Sequence, residues 1–204
     1  MCVISLCTRG ALDNWSRGRP TAVLGVIVMV SVHQEASQEL VVAFLESVIE
    51  ISIWIDGGWG VDALLGSQTR PHADLDIIIA KENLPSLESA LLERSFERDR
   101  TQEGIVFVST RGLRLDIHLV RFDARGYGNF DLADGRVWPF PPSAFAGKGK
   151  IGDLAVHCLS PEAQVQCHAQ GYEPTAKDLR DMEALQRKCG VVLPLALCRE
   201  GHRK

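Results

Sequence analysis

Residues 74–80 read Asp-Leu-Asp-Ile-Ile-Ile-Ala, and this run leaves a chain few folds to choose from. Its β-branched stretch predicts a strand. Along a strand alternate side chains share a face, so Asp74 and Asp76 aim at one spot while Leu75 points into a core. Two like charges side by side are unfavourable unless solvent or a cation screens them. They are therefore either an exposed, hydrated strand end or a site for Mg²⁺, which prefers carboxylate and phosphate oxygens.

The flanking pattern builds the rest of a layered α/β (α+β) domain. Apolar residues at helical spacing over 34–49, with Glu35, Glu39 and Glu46 opposite, predict an amphipathic helix. Residues 51–55 predict a strand that stops at Asp56-Gly57-Gly58. A short helix over 59–65 follows, closed by Gly66. A helix over 83–95, strands over 105–109 and 113–122 with Arg111-Gly112 between them, and helices over 160–171 and 175–188 complete the list. The glycine-, proline- and aromatic-rich residues 123–152 read as short strands and a substrate-side loop. The expected fold is a mixed sheet of four or five strands flanked by helices, followed by a C-terminal helical pair. The expected divisions are 1–30, a poorly ordered extension, 31–158, the sheet domain, and 159–204, the helical region.

The apolar run 22–32 is too short to span a bilayer, and the arginines before it give it a passing likeness to a secretory signal. No small-residue cleavage site follows cleanly. Met29, almost at once followed by the first helical pattern, is an alternative start. Cys2, Cys7, Cys158, Cys167, Cys189 and Cys198 form no Cys-x-x-Cys pair, so free thiols and a cytoplasmic location are expected. With 26 acidic against 22 basic residues and a net charge of −4, coating nucleic acid or an anionic membrane is not the expected task.

Two further features point to phosphoryl chemistry. Gly57-Gly58 stands where a strand hands over to a helix; without Cβ atoms its backbone can approach a triphosphate at the positive helix end, although such a turn is often only structural. Asp116 interrupts the alternating strand Leu113-Arg-Leu-Asp-Ile-His-Leu-Val, where a charge is costly unless paired or liganded. If that strand lies beside the Asp74–Asp76 strand, Asp116 completes a carboxylate triad and can take a proton from an acceptor hydroxyl. Asp62, in the short helix, reads as a surface or capping carboxylate.

Together, Gly57-Gly58-Trp59, Thr69-Arg70-x-His72-x-Asp74-x-Asp76 and the distant Leu-Asp-Ile-His strand resemble the small antibiotic nucleotidyltransferases of the polymerase-beta-like superfamily. The likeness is greatest to lincosamide nucleotidyltransferases, with aminoglycoside 2″-adenylyltransferases close behind, and it runs from about residue 35 to about 188. The resemblance implies an NTP donor, ATP first, an Mg²⁺ site on Asp74, Asp76 and Asp116 with two ions, and attack by a drug hydroxyl on the α-phosphate. Asp116 takes the family's base-like place. Arg70 either contacts phosphate or pairs with a carboxylate. His118 either lines the acceptor pocket or is a satisfied buried histidine. Lys177, at a helix start, either reaches the triphosphate or is a surface lysine, and Tyr127, Trp138 and Phe140 either stack on a substrate or belong to the core. The expected partners are an antibiotic and an NTP, with the chain a monomer or homodimer. A protein or RNA acceptor, or an inactive nucleotide sensor, are the alternatives. Acidic residues at 131 and 134 facing the site would favour a polycationic aminoglycoside; otherwise the closer likeness favours lincosamides.

Overall fold

In the computed structural model, residues 35–102, 104–132, 134–170 and 173–198 are described. The expected 1–30 extension lies outside them. The elements are α1 (Gln38–Ser47), β1 (Ile53–Ile55), α2 (Gly57–Leu65), β2 (Leu75–Ala80), α3 (Leu84–Glu93), β3 (Phe96–Arg98), β4 (Ile105–Ser109), β5 (Arg114–Phe122), β6 (Gly128–Asp131), β7 (Val137–Phe140), β8 (Gly147–Ile151), β9 (Leu154–Cys158), α4 (Pro161–Gln170) and α5 (Ala176–Cys189).

The strands form one mixed sheet in the order β3-β4-β5-β2-β1-β9-β8, with β6 and β7 continuing from β5. β2 runs parallel to β5 and β1 parallel to β9, while the remaining pairs are antiparallel. Nine strands among the described residues exceed the four or five expected from the sequence. The excess lies in β3 and in residues 128–158. There, strands of three to five residues rich in glycine, proline and charge are too short to display a period, and only their partners define them.

Local chemistry sets the element ends. Ser37 caps α1 by accepting from the Leu40 N–H, and the Asp178 carboxylate accepts from both the N–H and the hydroxyl of Thr175 to start α5. Gly66 and Gly190, both left-handed, close α2 and α5. α1 is shorter than the periodic segment that predicts it, because its last turn unwinds at Val48 and Glu35 precedes the cap.

The two faces of the sheet bury different material. One face carries Leu75, Ile77, Ile79, Leu115 and Ile117, packed with Val41 and Phe44 of α1 and with Leu87 and Leu91 of α3. The other carries Ile78, Val120 and Phe140, packed with Ala163 of α4 and joined by Trp54, Phe122 and Phe145. A third cluster joins Val61 of α2 to Val165 of α4 and to Met182 and Leu185 of α5. The C-terminal helices thus rest on α2, whose residues Trp59 to Ala63 are all buried.

Candidate active site

β1 and β2 are antiparallel neighbours, and β5 lies on the other side of β2. The parallel register sets Asp76 directly beside Asp116 and Ile78 beside His118. Paired residues share a face, so Asp76, Asp116 and His118 stand together. One ligand atom from each lies within 4.8 Å of the other two, the one such group of possible metal ligands among the described residues. Asp74 sits just before β2 and outside that tight group, yet close enough to interact with both carboxylates.

The charges show how crowded the spot is. Burial raises the Asp116 carboxyl above its usual range, with Asp76 adding to the rise and His118 and Arg114 opposing it. Asp74 is raised by burial and then by Asp76 and Asp116, against Arg114 and Lys177. Asp56 is raised as well, by burial and by Asp76. Burial disfavours a charge on His118, but the approach of Asp76 and the negative charges of Asp56 and Asp116 outweigh it and lift its pKa to about 9. Three carboxyls raised together mark a spot where burial and crowded like charges both disfavour ionisation.

The Gly-Gly turn belongs to the same spot, though for a different reason than the sequence suggests. Asp56 is the N-cap of α2 and its carboxylate accepts from the Gly57 N–H at 2.7 Å, so that donor is already engaged. What glycine supplies here is room. Gly57 has φ +57°, and a Cβ on it would fall into the Asp76 carboxylate; a Cβ on Gly58 would meet the His72 ring and the Arg70 guanidinium. Gly57→Ala should therefore cost about 1–3 kcal/mol of stability and push Asp76 out of register with Asp116. Chemical denaturation together with a transfer assay checks this: unchanged activity at normal stability would show that Asp76 tolerates the displacement.

Behind the turn, Asp62 is a correction to the sequence reading. It is 2% exposed, not a surface carboxylate. Oδ1 accepts from the N–H and hydroxyl of Thr69, at 3.1 and 2.6 Å, and Oδ2 meets Nε2 of His72 at 2.5 Å. Trp59 lies against the same imidazole, with ring centroids 4.8 Å apart. This buried knot holds the loop that delivers Arg70 and Asp74.

Arg70 does not stand free. Its guanidinium bonds Asp181 of α5 at 2.7 and 3.1 Å, which ties the loop to the C-terminal helix. Lys177 is exposed in the first turn of α5, and its charge is felt at Asp74. His168 of α4 is buried, donates from Nδ1 to the Gln164 carbonyl at 2.8 Å, and acts electrostatically on Asp56.

The aromatic residues separate. Trp138 shares the carboxylate face through the register Val120–Phe130–Trp138; it stacks on Phe140 at 5.9 Å and lines a cavity of about 560 Å³ with Leu132 and Gln170. Tyr127 is not brought to the carboxylates. It lies in the β5–β6 turn beside Asp123, seven strand positions or roughly 23 Å from Asp116. Phe130, which sequence reasoning missed, touches His118 edge-on at 5.8 Å, and with Asp116 and His118 it borders a cleft of about 350 Å³. Asp56 and Asp181 were also missed. Asp56 had a local signal, an Asp at an N-cap before a helix; Asp181 had none.

Residues 39–185 match the aminoglycoside-2''-adenylyltransferase family, a span that takes in every carboxylate of this site. The chain belongs to that family, whose members are antibiotic nucleotidyltransferases. It is 27% identical over 156 residues to a lincosamide resistance protein of Staphylococcus haemolyticus, covering 68% of this chain and 86% of that protein. A shorter stretch of 39 residues is 44% identical to a 2''-aminoglycoside nucleotidyltransferase of Escherichia coli, covering 19% of this chain and 22% of the other. Among solved structures, the lincomycin-bound lincosamide adenylyltransferase LnuA superposes with a TM-score of 0.60 at 25% identity, over 73% of this chain and 94% of that one. ANT(2")-Ia in complex with adenylyl-2"-tobramycin gives 0.61 at 21% identity, over 75% and 89%, a likeness of fold. The nucleotidyltransferase fold expected from the sequence is the one observed.

Proposed function

We propose that this family member transfers AMP from ATP to a hydroxyl of a lincosamide antibiotic. The observation that carries the choice of acceptor is the state of the two acids the sequence left open. Asp131 borders the cleft beside His118, but its carboxylate is held by Arg121, and Asp134 is held by Arg136 in the β6–β7 turn. The Arg121 side chain lowers the Asp131 carboxyl, and the backbone N–H of Arg136 and then its side chain lower that of Asp134, so neither offers an unpaired negative charge to a polyamine. The rest of the cleft on the His118 side of Asp116 is lined by Phe130 and by the cationic Lys81 and Arg121, with Trp138 beyond. Such a surface suits a thio-sugar with an apolar tail better than a polycation.

The carboxylates Asp74, Asp76 and Asp116 form an oxygen-rich, hard donor set that fits Mg²⁺; burial and the crowding of like charges raise the Asp74 and Asp116 carboxyls, and a bound cation would offset both. When bound, Mg²⁺ supplies neutralisation of the triphosphate and of the departing pyrophosphate. Asp116 accepts the proton of the drug hydroxyl, whose oxygen then attacks the α-phosphorus as pyrophosphate leaves. Gly57 and Gly58 make room for the Asp76 carboxylate and for the His72 and Arg70 side chains at the start of α2, and Lys177 adds positive charge at the solvent side. Arg70 positions the loop through Asp181. No helix of the described residues is long and apolar enough to cross a membrane. The net negative charge speaks against an RNA acceptor.

The test is transfer of label from α-³²P-ATP in the presence of Mg²⁺ to lincomycin, clindamycin and a panel of aminoglycosides. Labelled lincosamide is expected, with every aminoglycoside at least about a hundredfold poorer in kcat/KM, equivalent to about 2.7 kcal/mol of discrimination. Preferred labelling of an aminoglycoside would overturn the acceptor assignment. No labelled drug with any NTP would overturn drug modification itself and direct the search to protein or RNA acceptors.

A further inference from the structure

Resting on the nucleotidyl-transfer reading above, we infer that His118 is itself a metal ligand, so that Asp76, Asp116 and an imidazole nitrogen together form a mixed oxygen–nitrogen site that takes Mn²⁺ in preference to Mg²⁺. The carboxylate triad alone is an all-oxygen site, and nothing in it calls for nitrogen.

The geometry points this way in three respects. Nε2 of His118 lies 3.8 Å from Oδ1 of Asp76. That separation is too long for a hydrogen bond and lies between the spacings of cis and trans ligands of one ion, so a small side-chain adjustment brings it to either. With metal–ligand bonds of about 2.1 Å, cis ligands sit about 3 Å apart and trans ligands about 4.2 Å apart. The whole group of Asp76, Asp116 and His118 falls within 4.8 Å, so one ion can be reached by all three after small side-chain adjustments. Finally, the ring is held: its edge rests on Phe130 at 5.8 Å and 76°, while the register fixes its strand position next to Asp116 and beside Ile78. His118 remains a third exposed, open enough for an ion to enter.

Ligand chemistry then separates the metals. Mg²⁺ is satisfied by oxygen and keeps its waters, whereas imidazole suits the first-row transition ions, of which Mn²⁺ also accepts carboxylate and phosphate oxygens. The chain's other described histidines do not join this group. His72 is bound to Asp62, His168 bonds the Gln164 carbonyl and lies by Asp178, and His157 is exposed on β9.

The experiment is electron spin-echo spectroscopy of Mn²⁺ alone added to the full-length protein, paired with Mn²⁺ and Mg²⁺ titrations, on wild type, His118→Asn, His168→Gln and Asp116→Asn. The expected result is ¹⁴N modulation from a directly bound imidazole in wild type and His168→Gln, absent in His118→Asn. The same variant should bind Mn²⁺ at least about tenfold more weakly, with a smaller change for Mg²⁺. Circular dichroism melts confirm that each variant is folded. Mn²⁺ bound without ¹⁴N coupling, and lost in Asp116→Asn, would overturn the role of His118 and leave the carboxylate site standing. Coupling that persists in His118→Asn would overturn it as well. Failure of both wild type and His168→Gln to bind either ion would sink the metal site as a whole, and with it the nucleotidyl-transfer reading.

Discussion

Asp116→Asn lowers kcat/KM for transfer by about 10³-fold or more, equivalent to about 4 kcal/mol of transition-state stabilisation, while the protein stays folded. Asparagine keeps the shape of the side chain and the strand register with Asp76, but it cannot take the hydroxyl proton and is a poorer partner for a cation. The effect should fall on kcat rather than on the KM for drug, because the acceptor is held largely by neighbouring surfaces. A variant retaining a tenth or more of wild-type kcat would remove Asp116 from the role of base.

The same substitution has a stability signature of opposite sign. The Asp116 carboxyl has its folded-state pKa raised by burial and by Asp76. A raised folded pKa means that the folded state binds the proton more tightly than the unfolded one. The stability it brings is fully present below the ordinary carboxyl pKa of 3.8 and is lost as pH rises through the higher folded value. At neutral pH the ionised Asp116 is therefore a burden on the metal-free fold, as are Asp74 and Asp56 by the same reasoning. Asp116→Asn removes the burden, so in EDTA it should melt no lower than wild type near pH 7, with the difference shrinking toward pH 4. A lower melting temperature at neutral pH would show that the carboxylate is stabilising instead.

Asp62→Ala should do the reverse: a loss of about 3 kcal/mol of stability. Its carboxylate satisfies three groups, the N–H and hydroxyl of Thr69 and Nε2 of His72, and both Asp62 and His72 are nearly inaccessible to water. Removing it leaves the imidazole without that partner in a site water reaches poorly, beside the Trp59 ring. Because the knot delivers Arg70 and Asp74, activity should fall even at temperatures where the variant is fully folded. Urea denaturation followed by tryptophan fluorescence measures the first effect, and kinetics well below the melting point measure the second. A loss under about 1 kcal/mol would mean the loop repacks or admits water.

These contrasts trace how much was legible in advance. The strand of Asp74 and Asp76, the carboxylate of Asp116, the glycine turn and the two C-terminal helices all carry local signals: side-chain alternation, a charge in an apolar strand, caps and helix stops. Those signals act over a few residues, so they can be read without knowing what lies across from them. They also sufficed to expect the α/β fold.

Other properties depend on what the chain places opposite. Asp62 looked like a surface carboxylate because its helix is short; it is buried because α4, α5 and the sheet enclose α2. Asp181 showed no signal of its own, and 111 residues separate it from Arg70. β3 and β6 to β9 are defined by their ladders rather than by any period of their own. Asp131 and Asp134 could not be judged until their arginine partners were known. The sequence by itself determined which residue types stand on which face of each long element, since that follows from helix and strand periodicity. The tertiary structure alone decided which charges meet, because pairing, burial and neutralisation are set by distance between segments far apart in the chain.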